Sequence, residues 1–186
     1  MKRIASVLAV GLLVSLAASL LSAAPKNTSA LVWEYIGQVT NTGSDSAQYG
    51  NLTNVAGAPS GTFFTFYTSA SNISVTVNGP LRIIDRKGTT IIYEASAPGD
   101  FSNPDSFRSG TPVQASELSQ QVIVNTTTGS FSVVNNNMIT SSSSLGGGNE
   151  ESLGEVGQTI RSILNGQLNT AGVPPPSGWF SGYAEK

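Results

Sequence analysis

The chain has 186 residues with no Cys and no His, 9 basic against 11 acidic side chains, and a formal net charge of −2. Without Cys and His, the usual zinc, copper and haem ligands, a Cys nucleophile and a Ser-His-Asp triad are excluded. The mildly acidic balance has no basic cluster, which argues against nucleic acid as a partner. The sequence contains neither a phosphate-binding loop motif nor a dinucleotide-binding glycine motif, and we expect no cofactor.

The first 24 residues have the composition of a secretory signal peptide. Met1-Lys2-Arg3 is basic, residues 4–21 are apolar, and residues 22–24 are small. We therefore predict a cleaved leader over residues 1–24 and one exported domain over residues 25–186, secreted or held in the periplasm or cell envelope. An uncleaved anchor is the alternative, and only then would a membrane be a partner. About 18 apolar residues are at the short end for a bilayer span.

After the leader, apolar and polar residues alternate in short runs, a pattern typical of β-strands. Residues 31–40 (LVWEYIGQVT) form the first predicted strand, with Trp33 and Tyr35 on one face. Gly37 in this strand indicates a bulge or the close approach of another backbone. A turn at residues 41–45 and a short strand at residues 48–55 follow.

Residues 61–94 are predicted to form four strands joined by tight turns. Phe64 and Phe66 fall on one face of the first of these strands and Tyr67 on the other, which predicts a strand covered on both faces. Asn78-Gly79 predicts a type I′ hairpin turn, because both residues tolerate positive φ. A further turn is predicted at residues 85–88, where the sequence reads Asp-Arg-Lys-Gly.

A long loop is predicted over residues 95–119, which contain three prolines and two glycines. Ordered loops of this length are uncommon in compact domains and often carry function. Strands at residues 120–125 and 130–140 then form a second hairpin around a turn at residues 126–129. Residues 141–149 are of low complexity and are predicted to form a mobile loop.

Residues 150–168 fit two patterns. Apolar residues recur at helical spacing, whereas two glycines would each weaken a helix interior by about 1 kcal/mol relative to Ala. We favour a strand over residues 156–164, followed by a turn at Asn165-Gly166. The last strand, residues 179–184, is aromatic and is expected to close the sheet against the first strand.

About eight to ten antiparallel strands in one domain predict an all-β fold with a single barrel, and a two-sheet β-sandwich is the alternative. Aromatic strands at both ends of the domain favour the barrel. In outline the chain resembles the small exported barrels of the lipocalin, dirigent and allene oxide cyclase kind. This resemblance lies in the strand rhythm and in the terminal Trp179-Phe180-Ser181-Gly182-Tyr183 strand. No motif of those families is present, so no site residue follows from the resemblance.

Aromatic side chains on the predicted strands would line any pocket inside the barrel. The candidate ligand-binding residues are Trp33, Tyr35, Phe64, Phe66, Tyr67 and Trp179, joined by Phe180. The alternative role for these rings is plain core packing.

The predicted long loop holds a candidate metal site. Asp100, Asn103 and Asp105 offer oxygen ligands, the type that Ca²⁺ prefers. The alternative is turn chemistry, in which Asp and Asn cap turns and Arg108 pairs with one carboxylate. The glutamate that completes an EF-hand loop is missing, since Thr111 occupies that position, and this favours turn chemistry.

Three functions remain open at this stage. The first is a non-enzymatic barrel that binds a small apolar molecule or another exported protein. The second is a cofactor-free isomerase or cyclase, with Glu34, Asp85, Glu94 or Arg82 and tyrosines acting inside the barrel. The third is a structural component of a surface or matrix. A closed cavity with paired polar groups would favour the second function, and a filled interior with an exposed aromatic patch would favour the third.

Overall fold

The computed structural model describes residues 31–145, 152–169 and 177–186. The predicted leader over residues 1–24 lies outside these ranges and stays a prediction. Of the low-complexity segment, residues 146–149 also lie outside these ranges. Within the described ranges, no helix has the length and apolar character needed to cross a membrane.

Eight antiparallel strands follow one another around a closed barrel. They are β1 (Leu31–Thr42), β2 (Asp45–Thr53), β3 (Phe63–Asn78), β4 (Leu81–Ala95), β5 (Thr111–Asn125), β6 (Ser130–Ser142), β7 (Thr159–Leu168) and β8 (Ser177–Glu185). A short 3₁₀ helix, Pro104–Arg108, lies between β4 and β5. Each strand pairs with the next, and β1 also pairs with β8. The predicted barrel and the predicted closure by the last strand are both confirmed.

The region 61–94 forms two long strands, and the prediction of four is wrong. β3 is one strand over residues 63–78, where two strands were predicted, and β4 continues through the predicted turn at residues 85–88. Gly88 lies inside β4 opposite Ala70, where a Cβ atom would collide with the backbone carbonyl oxygen of Ser69. This glycine therefore marks a close approach of two strands and not a turn.

The hairpin that joins β3 and β4 is confirmed, but its turn lies one residue later than predicted. Asn78 pairs with Leu81, so Gly79 and Pro80 are the two central residues. Gly79 has a φ of +56°, at the first central position, where a type II′ turn requires glycine. The predicted type I′ turn, which would need positive φ at Asn78, is wrong.

β5 begins at Thr111, so the loop predicted over residues 95–119 is shorter and spans residues 96–110. The first half of β5 points polar side chains into the barrel, among them the buried Gln114 and Ser116. These polar inward positions break the apolar alternation that identifies a strand from sequence.

The preference for a strand within residues 150–168 is confirmed by β7. The predicted turn at Asn165-Gly166 is wrong, since both residues lie inside that strand. A Cβ atom at Gly166 would overlap the ring of Phe131 on β6. Glycine is needed at this position to admit an aromatic ring from the neighbouring strand.

The two ends of the barrel differ. At the turn end, three of the four connections are short turns, at residues 43–44, 79–80 and 126–129, and the connection from β7 to β8 spans residues 169–176. At the loop end the connections span residues 54–62, 96–110 and 143–158. Buried apolar side chains fill the half of the interior near the loop end, and the largest are Trp33, Tyr35, Phe64, Phe66, Ile92, Ile139, Ile160 and Leu164.

Phenylalanines and glycines on the inward face of the barrel form one row of paired residues across the strands, here called the Phe-Gly row. In order of strand pairing it consists of Phe131, Gly166, Phe180, Gly37, Gly50 and Phe66. A Cβ atom at Gly37 would lie 2.6 Å from the ring of Phe180 and 2.7 Å from the carbonyl oxygen of Tyr49. The close approach predicted at Gly37 is thus confirmed.

Replacing Gly37 with Ala should destabilise the barrel by about 1–3 kcal/mol, because the new methyl group would overlap the Phe180 ring and the Tyr49 carbonyl group. Urea denaturation measures this change in the free energy of unfolding. As a control, Ser69→Ala on the exposed face of β3 should stay within about 0.5 kcal/mol. The cost of Gly37→Ala should fall in a Phe180→Ala background. An equal cost in both backgrounds would show that the ring is not the obstacle.

Candidate ligand-binding cavity

A cavity of about 480 Å³ occupies the interior of the barrel near its turn end. Pockets that bind small molecules typically measure about 300–1,000 Å³. All eight strands contribute to its lining. Phe131 and Phe180 line the cavity and also belong to the Phe-Gly row, whose other end, Phe66, lies in the packed half.

Most of the cavity wall is apolar. These side chains are Val39, Ile84, Val122, Val124, Phe131, Val133, Leu168 and Phe180. Six of them lie on β5 to β8, where alternate residues of each strand point inward. Valine predominates on this wall, whereas aromatic rings and Ile or Leu fill the packed half. The smaller side chains leave the space that forms the cavity.

The polar part of the wall lies on β1 to β4 and centres on Arg86, whose side chain is 6 % exposed. Its Nε donates a hydrogen bond to Oδ1 of Asn72 at 2.8 Å, and its Nη2 donates to Oδ1 of Asn41 at 2.9 Å. Its Nη1 makes a longer bond of 3.4 Å to Oε1 of Gln120. The guanidinium is thereby held in place by three neutral amide groups.

A hydrogen bond to Asn135 on β6 orients the side chain of Gln120. Its Nε2 donates to Oδ1 of Asn135 at 2.8 Å, which turns its Oε1 towards Arg86. Both amides are buried. A polar network from β4 through β5 to β6 therefore fixes where the guanidinium sits.

The cavity has a positive charge. Arg82 and Arg86 line it, and none of the described residues in its lining is Asp or Glu. In the described part of the chain the one ion pair is Arg108 with Asp105, in the loop between β4 and β5. Burial, and to a smaller extent the charge of Arg82, lower the pKa of Arg86 to about 10, so Arg86 remains protonated at neutral pH.

Four of the predicted ligand-binding residues, Trp33, Tyr35, Phe64 and Phe66, lie in the packed half and do not line this cavity. Tyr35 packs edge to face on Phe66 with ring centroids 5.1 Å apart, and its hydroxyl shares a 3.1 Å hydrogen bond with Ser162. Burial raises the pKa of Tyr35. These contacts give the four rings a packing role, and their predicted role in binding remains untested.

Tyr67 and Trp179, also predicted to bind a ligand, lie on the outer face of the barrel. Tyr67 stacks on Tyr49 with ring centroids 6.2 Å apart. Trp179 packs against Phe101 with ring centroids 4.8 Å apart. Of the predicted aromatic set, Phe180 lines the cavity.

The loop of residues 96–110 folds back over the outside of the barrel. Phe107 is fully buried there, 5.3 Å from the ring of Tyr49, and its carbonyl oxygen accepts a 2.9 Å hydrogen bond from Oγ1 of Thr65. Phe64 and Thr65, on opposite faces of β3, are both buried. The predicted covering of this strand on both faces is confirmed.

The candidate metal ligands are engaged in turn contacts. Asp100 accepts hydrogen bonds from the backbone N–H and the hydroxyl of Ser102, each at 2.8 Å, and Asp105 pairs with Arg108 at 2.6 Å. Asn103 precedes the 3₁₀ helix and makes no capping bond with its side chain. The described residues contain no group of three or more acidic side chains placed to hold a metal ion. The predicted turn chemistry is present, and a metal at Asp100, Asn103 and Asp105 remains an untested prediction.

The charged residues considered for catalysis are separated. Glu34 accepts a hydrogen bond from Asn54 at an exposed site, and Asp85 accepts bonds from Ser74 at 2.7 Å and Gln121 at 3.1 Å on the outer surface. Arg82 lines the cavity. Glu94 lies near the loop end of β4, away from it.

Arg86 is the residue that the sequence interpretation missed, because it was assigned to a turn at residues 85–88. A signal was nevertheless present. Ile84, Arg86, Gly88, Thr90 and Ile92 are alternate residues, and on a continuous strand all five would share the inward face.

No protein-family model, no curated protein and no solved structure matches the chain. Function is therefore inferred from the geometry of the cavity and the chemistry of its lining.

The turn contacts of Asp100 can be tested by titration. The hydrogen bonds from Ser102 hold the pKa of Asp100 below its usual value of 3.8, because they stabilise the ionised form. Ser102→Ala should raise that pKa towards 3.8, as measured by carboxyl-carbon NMR. Because the pKa of Asp100 is lower in the folded state, its ionised form stabilises the folded state above about pH 3.8. This contribution is lost as the pH falls through the folded-state pKa.

Asp85 supplies a matched control. Its pKa is lowered in the same way by Ser74 and Gln121. Ser74→Ala should raise the pKa of Asp85 and leave that of Asp100 unchanged, and Ser102→Ala should do the reverse. If the pKa of Asp100 is the same in Ser102→Ala as in the unchanged protein, the assigned turn contacts are contradicted.

Proposed function

We propose that this barrel is a non-enzymatic binding protein that holds a small, largely apolar molecule in the cavity at its turn end. The observation that carries this proposal is the lining. Inward residues of all eight strands surround about 480 Å³, and eight of them are apolar side chains. An eight-stranded barrel is just wide enough either to be filled by side chains or to hold one small ligand. In this barrel, side chains fill one half of the interior, and the other half has space for a small ligand.

The energetics favour an apolar occupant. Each 100 Å² of apolar surface removed from water contributes about 2.5 kcal/mol. Valine, Leu and Phe side chains that face open space also lack the dispersion contacts available to a packed interior. A ligand that fills the cavity supplies both contributions without displacing any of the packed core.

We further propose that the protein acts outside the cytoplasm, secreted or in the periplasm or cell envelope. The support is the basic, apolar and small-residue succession of residues 1–24 and the resemblance in strand rhythm to exported barrels. Binding in such a compartment needs no disulfide here, because the closed barrel has its own apolar core.

The enzyme alternative would need a carboxylate and a hydroxyl donor that meet at one point. Among the residues that the structure describes, the cavity lining contains neither an acidic residue nor a tyrosine. Tyr35 directs its hydroxyl to Ser162 in the packed half. The geometry therefore supports binding better than an isomerase or cyclase reaction in this cavity.

Narrowing the cavity with a large side chain should weaken the binding of a neutral apolar probe. Val124→Trp places an indole on a half-buried wall position, and we expect the affinity for N-phenyl-1-naphthylamine to fall about tenfold or more. Probe fluorescence on titration measures the affinity. The matched control is Ile123→Trp, the adjacent residue, which is 39 % exposed on the outer face.

The control variant should bind the probe as the unchanged protein does. Near-UV circular dichroism of each variant verifies the native packing of its aromatic side chains, since loosely packed states also bind such probes. Equal loss of binding in both variants, or no binding by the unchanged protein, would contradict the proposal.

A further inference from the structure

Resting on the binding function proposed above, we infer the chemical class of the ligand: an organic anion with an apolar body and an oxyanion head, which Arg86 and Arg82 recognise. The inference begins from how the cavity is divided. The side formed by β5 to β8 is lined mainly by apolar side chains, whereas β1 to β4 contribute Asn41, Gln48, Asn72 and Arg86 besides two apolar residues. An amphipathic molecule matches both sides at once.

Among the described residues, buried Arg86 has no acidic side chain as a counter-ion. A charged side chain that leaves water incurs a large desolvation cost unless it is paired and hydrogen-bonded. Here three amide oxygens accept hydrogen bonds, but they bring no negative charge. A carboxylate, sulfonate or phosphate in the cavity would supply that charge.

The guanidinium retains donors for such a head. It carries five N–H groups, and its hydrogen bonds to the described residues use three of them. Two remain, one on each terminal nitrogen. An oxyanion can accept from both, and bonds of this charge-assisted kind are about twice as strong as neutral ones.

Arg82 adds a second positive charge on the same wall. It is two inward positions from Arg86 along β4, close to the β3–β4 turn, and its side chain is exposed. Its charge disfavours the charged form of Arg86 in the empty protein. An anion between the two arginines would relieve this repulsion, although the chain as a whole has a net charge of −2.

A matched pair of probes tests the inference. N-phenyl-1-naphthylamine is neutral, and 8-anilinonaphthalene-1-sulfonate has the same aromatic body with an added sulfonate. The unchanged protein should bind the sulfonate about tenfold or more tightly than the neutral probe. Arg86→Gln should lower the affinity for the sulfonate by about 10- to 100-fold and change the affinity for the neutral probe by less than about threefold.

Two further variants sharpen the test. Arg161→Gln makes the same change of charge at an exposed site on the outer face of β7 and should leave both affinities unchanged. Arg82→Gln, at an exposed position, should reduce sulfonate binding by about two- to fivefold. If Arg86→Gln does not fold, Arg82→Gln and the ratio of the two probes in the unchanged protein still decide the question.

Competition then defines the class of ligand. Decanoate should displace the bound sulfonate from the unchanged protein, and 1-decanol should do so at least about tenfold less well. Inorganic phosphate should be weaker than decanoate, because it lacks the apolar body. Displacement by phosphate as effective as by decanoate would overturn the amphipathic class.

The possible failures are distinguishable. If the unchanged protein binds neither probe, the proposed binding function itself fails. Suppose that the neutral probe binds and that Val124→Trp weakens its binding. If the sulfonate then binds no more tightly than the neutral probe, or if Arg86→Gln leaves its affinity unchanged, the binding function stands and recognition of an anion is overturned.

Discussion

The pairing of β1 with β8 is the constraint on which the rest of the structure depends. It runs from Leu31↔Glu185 to Thr40↔Ser177 and turns a sheet with two edges into a closed surface. Closure removes the exposed strand edges that would otherwise pair with another chain. It also gives every inward side chain the same enclosed interior, whose width is fixed by the number of strands and their stagger. Each inward position therefore has to be filled, or its space is left to a ligand.

Side-chain size decides which half of that interior is filled. Near the loop end, Trp33, Phe66 and Ile92 occupy it together with Ile and Leu residues of β6 and β7. At the Phe-Gly row, glycines lie opposite rings, so that Phe180 and Phe131 fit at all. Towards the turn end, valines and amides take over, and they do not reach across the barrel. The cavity is thus a consequence of composition along the strands and needs no distortion of the barrel.

The sequence predicted the fold class, whereas of the residues singled out from the sequence only Phe180 and Arg82 line the cavity. Strand rhythm and the aromatic last strand were sufficient for the barrel and its closure. Strands with polar inward residues are harder to recognise in a sequence. The first half of β5, with Gln114 and Ser116, was therefore assigned to a loop, and the part of β4 around Arg86 was assigned to a turn. Gly88 and Gly166 were assigned to turns because glycine in a sequence does not reveal whether its missing Cβ serves a turn or a close approach. The cavity could not be predicted, since the empty space depends on which strands face each other.

The most informative departure from ordinary core design is Arg86. An isolated barrel would gain stability from an apolar residue at that inward position, because replacing buried charges with well-packed apolar groups is often neutral or stabilising. This chain instead buries a guanidinium, surrounds it with Asn41, Asn72 and Gln120, and orients Gln120 through Asn135. Violations of folding rules are expected at functional sites, and they are compensated elsewhere in the structure. The same network, which gives Arg86 no negative partner among the described residues, also holds the guanidinium in position. The anion recognition proposed above requires both properties.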